Sequence, residues 1–333
     1  MCQGEQVIYF FLLHTNSSVM KNYLILLFLL LLSIGCNTNP KIEQEQDSVE
    51  TNTPCNKTGL ILQILGSGGP AAGDGRASTG YLVWFNGSPL AMIDAGGGTF
   101  LRLQQAGVHI SDIEFLGISH FHPDHASELP AILWSDIFSG RPAPLNVSGP
   151  LGEGSDGLKG FLSAVNDMAA PVDAFTRINA IEVTPQKDSV STVYKDELLE
   201  VTTIGVNHAN KPTLAYKVTI DNKSIVFGAD QTLDSSGFIN FAKGADLLVL
   251  HLAISEEADK PFTNLHAKPG KIGTVAEESG IQRVVLSHLM KLDATDKRAN
   301  QFSLYDINTT VRLVGSKYNG TVILAEDLAC ISL

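Results

Sequence analysis

Residues 116–130 read LGISHFHPDHASELP, and six consecutive positions of that stretch hold His120, His122, Asp124 and His125. Imidazole and carboxylate groups are the donors that suit Zn²⁺, Mn²⁺ or Fe²⁺. Two readings of the cluster are open: a polar turn rich in histidine, or half of a metal site. Half a site needs another half. His208, Asp230 and His288 are candidates, because each sits at the end of an apolar, strand-like run. Sites in α/β folds gather at the carboxyl ends of strands. Taken singly, a histidine in that position is an ordinary hydrogen-bonded residue, and Asp230 an ordinary turn or cap residue. The joint pattern points to metal. Two cations held together lower the pKa of a shared water, polarise a substrate oxygen and steady the charge of an in-line displacement.

The elements that must position these side chains read as alternating strands and helices. Apolar runs broken by Gly and Pro predict strands at 59–66, 79–85 and 89–96. Further strands are predicted at 113–120, which delivers His120 at its end, and at 198–208, 213–220, 223–230, 245–254 and 282–289. Helices are predicted at 99–107, 124–134, 267–280 and 294–318, and residues 320–333 close with strands. The alternation is that of an α/β protein.

The chain has 333 residues, 44% of them hydrophobic, with 30 glycines, a composition that fits a globular α/β protein. Its formal net charge is −12, from 23 Lys+Arg against 35 Asp+Glu. Such a chain has no electrostatic reason to bind nucleic acid, whose phosphates need clustered Lys and Arg. The N-terminal region reads differently from the rest. LILLFLLLLSIGC (24–36) is too short for a comfortable membrane span and suits the apolar core of a signal peptide, with Lys21 before it. SIGC resembles a bacterial lipobox, although Leu is commoner where Ser33 stands. The expectation is a signal region at 1–35, translation starting at Met20, and lipidation of Cys36; an uncleaved signal anchor is the alternative. Residues 36–58 are expected to carry the lipidated cysteine and a polar tether, and one folded domain occupies 59–333. The protein is then expected to be exported and anchored by lipid, on the periplasmic face or at the outer membrane. Cys55 and Cys330 could pair there or remain thiols. No CxxC pair is present, which argues against a cysteine-based zinc site.

With these residues in view, the sequence resembles the metallo-β-lactamase superfamily, in the branch of ribonuclease Z, arylsulfatase-like hydrolases and a cyclic phosphodiesterase of phosphonate breakdown. The resemblance covers nearly all of 59–333. It rests on HFHPDH (120–125), LGSGGP (65–70), IDAGGGT (93–99), VNH (206–208), GAD (228–230) and LSH (286–288). It implies an αββα sandwich of two mixed sheets flanked by helices. It also implies two divalent metal ions, Zn²⁺ first and Mn²⁺ or Fe²⁺ as alternatives. One would be held by His120, His122 and His208, the other by Asp124, His125 and His288, with Asp230 and a hydroxide bridging them. Asp124 and His266 would serve catalysis. The alternative for His266 is a cap-like residue before the 267–280 helix. Asp94 would stand behind the ligands and orient them. The glycine run at 96–98 reads as a tight turn rather than a phosphate cradle. His251 departs from the branch, where a carboxylate is expected nearby; it would line the pocket or simply be buried.

The substrate class follows by elimination. Ribonuclease Z grips tRNA with a long arm between the residues matching His208 and Asp230; here only 209–229 lie between them, enough for two strands and a turn. A small anionic ester remains: a phosphodiester first, a sulfate ester as the alternative. Arg141 and Arg177, in the segment expected to wall the pocket, could clamp an anion or lie on the surface. The rival from another class is a lipoprotein that binds metal or ligand without catalysis. The branch is rich in homodimers, but nothing in this sequence specifies an interface.

Overall fold

In the computed structural model the described residues are 58–333, except 72 and 169–176. The expected signal region, Met20, Cys36, the expected tether up to residue 57 and Cys55 fall outside them, as do residues 169–176 of the segment expected to wall the pocket. Strands alternate side chains between faces, and here most strands are apolar on both. In β1 (Leu60–Gly66), Leu60, Leu62 and Ile64 point one way and Ile61 and Leu65 the other, all buried. A strand apolar on both faces must be covered on both faces, and that requirement sets the architecture.

Along the chain β1 is followed by β2 (Gly80–Phe85), β3 (Ser88–Ile93), β4 (Phe115–Gly117), β5 (Leu145–Pro150) and β6 (Ile178–Val183). Next come β7 (Ser191–Lys195), β8 (Leu199–Gly205), β9 (Leu214–Ile220), β10 (Lys223–Phe227), β11 (Leu247–His251), β12 (Arg283–Ser287) and β13 (Thr321–Leu324), and last β14 (Cys330–Ser332). Among the described residues they form two seven-stranded sheets, ordered β14-β1-β2-β3-β4-β5-β6 and β7-β8-β9-β10-β11-β12-β13. Both follow one pattern. The first three pairings are antiparallel and the last three parallel.

The helices are α1 (Thr99–Gln105), α2 (Pro123–Ala126), α3 (Leu129–Asp136), α4 (Leu158–Met168), α5 (Ser236–Ala242), α6 (Pro269–Glu278) and α7 (Ile307–Gly315). Three apolar layers result. Phe115, Val201, Tyr216, Val218, Phe227 and Val249 fill the space between the sheets. Leu103 of α1, Ile132 of α3 and Leu158 of α4 pack on the outer face of the first sheet. Phe238 of α5, Ile272 of α6 and Val314 of α7 pack on the outer face of the second. The expected αββα sandwich is the fold.

Two predicted helices are broken. The helix expected at 124–134 is α2 and α3, because Pro130 inside one continuous helix would clash with the carbonyl of Ala126. The helix expected at 294–318 contributes only α7. Upstream, Asp293 and Asp296 accept bonds from the backbone N–H groups of Thr295 and Arg298, local turns that compete with helix. Phe302 is extended and packs against Ile254 and Met290. Asp306 then caps α7, its carboxylate accepting from Thr309 N–H at 3.1 Å.

Candidate metal centre

Every expected ligand leaves the carboxyl end of a strand. β4 stops at Gly117, and the chain runs through Ile118 and Ser119 to His120. The Ser119 carbonyl accepts from Leu214 N–H of β9 at 2.9 Å, which ties this segment to the opposite sheet. His122 precedes α2, which carries Asp124 and His125. His208 follows β8, Asp230 follows β10 and His288 follows β12. Several turns need the left-handed region, which non-glycine residues enter at a cost: Asp94 (φ 60°), Ala229 (φ 57°) and His288 itself (φ 55°). Two glycines give the loops room. A Cβ on Gly96 would meet the Asp124 carbonyl oxygen at 2.1 Å, and one on Gly69 would meet His288 Cε1 at 2.6 Å. Thr99 N–H bonds back to the Gly96 carbonyl at 3.1 Å, so the glycine run is the tight turn expected.

The donor atoms converge in two groups that share Asp230. One is His120, His122, His208 and Asp230; the other is His125, Asp230, His251 and His288, with ligand atoms within 4.8 Å of one another in each. In the first, His122 Nδ1 lies 3.0 Å from His120 Nε2 and 3.2 Å from His208 Nε2. Asp230 Oδ2 faces His125, His208 and His120 at 3.5, 3.7 and 3.9 Å. Its Oδ1 faces His288 Nε2 at 3.3 Å. Asp124 adds a carboxylate to the second group, with Oδ2 at 3.1 Å from His288 Nε2 and 3.6 Å from His125 Nε2. Most of these residues are buried, and His122 alone among the expected ligands is half-exposed, so the centre opens on its side.

The far nitrogens are held from behind. His125 Nδ1 donates to Asp94 Oδ2 at 2.9 Å, and His208 Nδ1 donates to the Leu265 carbonyl at 2.9 Å. Asp94 also accepts from Ser119 N–H (2.7 Å) and Ser119 Oγ (2.9 Å), and that hydroxyl lies 3.1 Å from His120 Nδ1. Such contacts fix which nitrogen is left to bind.

Charge follows from this packing. Burial opposes ionisation of Asp124 and Asp230, yet the neighbouring imidazoles outweigh it: Asp124 is held down to about 2 and Asp230 well below the usual carboxylate range. Burial also opposes charge on His125, but Asp230, Asp94 and Asp124 together raise it well above its ordinary value. The centre draws positive charge inward. His125 Nε2 is buried without a hydrogen-bond partner while two carboxylates stand 3.5 and 3.6 Å away. An orphaned ring nitrogen facing anionic oxygens, in an imidazole-rich set, fits a divalent transition metal.

The family model described as anti-Pycsar protein Apyc1 matches residues 60–305. The chain belongs to that family. It is also 27% identical to ribonuclease Z of Mycobacterium marinum over 245 residues, 69% of this chain and 86% of that one. Among solved structures, the metallo-β-lactamase fold protein YhfI from Bacillus subtilis matches at TM-score 0.63 and 17% identity, covering 83% of this chain and 99% of that one. The short form of human tRNase Z matches at TM-score 0.61 and 19% identity, covering 82% and 98%. These two likenesses establish the fold of this Apyc1-family chain as metallo-β-lactamase type.

Some residues stand elsewhere than the sequence suggested. Arg141 is no anion clamp. It is buried, with Nε 2.9 Å from Asp136 Oδ1 and its other nitrogens on the Ile113 and Ile110 carbonyls. Arg177 donates to the Arg141 carbonyl. His266 is not the cap of α6, since that position belongs to Lys268. Its Nδ1 instead lies 3.6 Å from Asp230 Oδ1. His251 is the last residue of β11 and donates from Nδ1 to Asp230 Oδ1 at 2.7 Å. Tyr81 stands behind it, unmarked within an apolar strand. Its hydroxyl lies 3.0 Å from His251 Nε2. The available signal for His251 was its place at the end of an apolar run, shared with the other site residues. Cys330 is disulfide-bonded; the pairing with Cys55 weighed from the sequence involves a residue outside those described.

Proposed function

We propose that this chain is a metal-dependent hydrolase of small phosphodiesters. The observation that carries the reading is the convergence of two donor groups on one shared carboxylate, Asp230. His120, His122 and His208 would hold one ion and Asp124, His125 and His288 the other, with Asp230 common to both and Zn²⁺ the ion that best suits the donors. When bound, such a pair supplies hydroxide near neutral pH and Lewis-acid stabilisation of a displacement at phosphorus.

The remaining work falls to this chain's own groups. Asp124 stays anionic at working pH and accepts hydrogen bonds only. It can therefore orient an attacking water. Burial pushes His266 down to about 3, so its imidazole is neutral with one N–H to give. Placed beside Asp230, that N–H is suited to an oxygen of the departing group. Asp94 and Ser119 hold the His120–His125 segment and need not move. His122, the half-exposed member of the set, faces the opening and would meet substrate first, with Asp124 buried behind it.

Two further points favour a small diester. Ribonuclease Z, a relative by sequence, is by name a nuclease, and cleavage of RNA is a displacement at a phosphodiester, chemistry that the donor groups gathered here would support. Residues 209–229 are taken up by β9, a turn at Asp221–Asn222 and β10, leaving no length for a tRNA-gripping arm. The test is a substrate series on the zinc-loaded protein: bis-p-nitrophenyl phosphate, p-nitrophenyl sulfate and a precursor tRNA. Cleavage of the diester alone is expected. Faster cleavage of the sulfate ester or of the tRNA would overturn the assignment.

A further inference from the structure

The part of the centre with no function yet is the line Tyr81–His251–Asp230, which runs from the core between the sheets into the shared carboxylate. Tyr81, on β2, has its ring 1% exposed and packed 5.4 Å from Phe227. Its hydroxyl reaches across to the second sheet and meets His251 Nε2 at 3.0 Å. His251 Nδ1 meets Asp230 Oδ1 at 2.7 Å, and the His251 ring lies flat against the His288 ring, centroids 4.7 Å apart at 24°.

The hydrogens can be placed by chemistry. An ionised carboxylate only accepts, so the nitrogen 2.7 Å from Asp230 carries a proton. Neutral imidazole has one N–H, which leaves Nε2 a lone pair, and the Tyr81 hydroxyl donates to it. Both nitrogens of His251 are then occupied. Neither offers a lone pair to the centre, although the residue stands close enough to be counted among the donors of the second group.

We infer that His251 is a positioning residue, fixed by Tyr81, that takes one lone pair of Asp230 Oδ1 and thereby sets which Asp230 oxygen faces each metal. Without that bond the carboxylate can rotate, because its remaining contacts to the imidazoles are longer: Oδ1 to His288 and His266 at 3.3 and 3.6 Å, and Oδ2 at 3.5 to 3.9 Å. Tyr81 matters only through His251: the phenol selects the tautomer, and the tautomer donates to Asp230. The inference rests on the two-metal reading above and deepens it.

The test compares the unsubstituted protein with His251→Leu, His251→Asn, Tyr81→Phe and the Tyr81→Phe/His251→Leu double variant. Zinc stoichiometry and affinity are read by competition with a chromophoric chelator, and kcat and KM with bis-p-nitrophenyl phosphate. His251→Leu is expected to keep about two zinc ions per chain and to bind them about 10–100-fold more weakly. Its kcat falls with KM held within about twofold. His251→Asn, whose amide N–H replaces Nδ1–H, recovers most of the loss. Tyr81→Phe weakens zinc binding in the native background and adds nothing in the His251→Leu background. That last result separates positioning from packing, since a merely structural phenol would cost the same in both backgrounds. If His251→Leu does not fold, His251→Asn and Tyr81→Phe carry the test. A fall to one zinc per chain would make His251 a ligand and overturn the inference, as would unchanged affinity in His251→Leu or Tyr81→Phe. Two bound zinc ions without diester cleavage in the unsubstituted protein would overturn the hydrolase reading alone. The affinity comparison would then still decide the role of His251.

Discussion

His125 shows how much one side chain depends on its surroundings. Its Nδ1 is committed to Asp94, which leaves Nε2 facing Asp124 and Asp230. Asp94→Asn places an amide beside His125 and can fix the wrong tautomer. Zinc affinity is expected to fall about 10–100-fold, read by chelator competition, with the fold retained. His266→Ala should behave differently. On the proposed reading it removes an N–H that would meet the departing oxygen and no ligand, so kcat is expected to fall about 10²–10⁴-fold while metal content stays at the native level. Steady-state kinetics beside metal analysis would show the split, and a loss of metal would contradict it. The compact HFHPDH stretch made the first candidate ligands legible from sequence, because so many donors in so few positions have little other use. Tyr81 was not legible. Its role depends on a strand in the other sheet, and in its own strand it looks like any large apolar residue.

The same placement recurs at the level of elements. Asp94 follows β3 and Asp230 follows β10, strands that hold the same place in the two sheets. Each aspartate is reached through a left-handed residue, Asp94 itself or Ala229. One anchors a ligand from behind and the other stands between the two donor groups. The turn after β3 fits against α2 only because Gly96 has no side chain. Gly96→Ala drives a Cβ into the Asp124 carbonyl and should destabilise the fold by about 1–3 kcal/mol in chemical denaturation. Gly97→Ala, whose Cβ would meet nothing nearer than 3.7 Å, should be close to neutral. Equal effects would show that the turn is not limited by this contact. Strands with unbroken apolar runs, such as β1, β10 and β11, were readable from the sequence. The segment from 135 to 200 was not. It holds β5, α4, β6 and β7, and half-buried patterns such as that of β6 carry little signal. The break between α2 and α3 is signalled in the sequence by Pro130, whose ring would clash with the Ala126 carbonyl in a continuous helix.

At the scale of the whole molecule, two sheets bring together groups as distant in sequence as Asp94 and His288. Metal should therefore clamp the two halves of the sandwich as well as serve chemistry. At a thousandfold excess over Kd, each bound ion adds about 4 kcal/mol of stability. Thermal denaturation should shift upward with zinc and downward with chelator, and an unchanged midpoint would contradict a centre built across the sheets. The N-terminal region adds a separate expectation. No helix among the described residues is long and apolar enough to cross a membrane; the lipoprotein expectation places attachment at Cys36, and its alternative is an uncleaved signal anchor at 24–36. In a bacterial host, Cys36→Ala should abolish labelling by a fatty-acid analogue and move the protein from the membrane fraction to the soluble one. Labelling that survives the substitution would remove the lipoprotein assignment and leave the hydrolase untouched. The net charge of −12 fits a small anionic substrate met at a few fixed cationic points better than a polyanion met over a wide surface.

The most direct test of the central claim is the metal content of the purified, zinc-reconstituted chain, measured alongside its turnover of bis-p-nitrophenyl phosphate. The account predicts about two zinc ions per chain, with diester cleavage that is lost on chelation and in Asp124→Ala. Less than about one ion per chain after reconstitution, with no cleavage of the diester, would contradict it and leave a binding protein on a hydrolase fold.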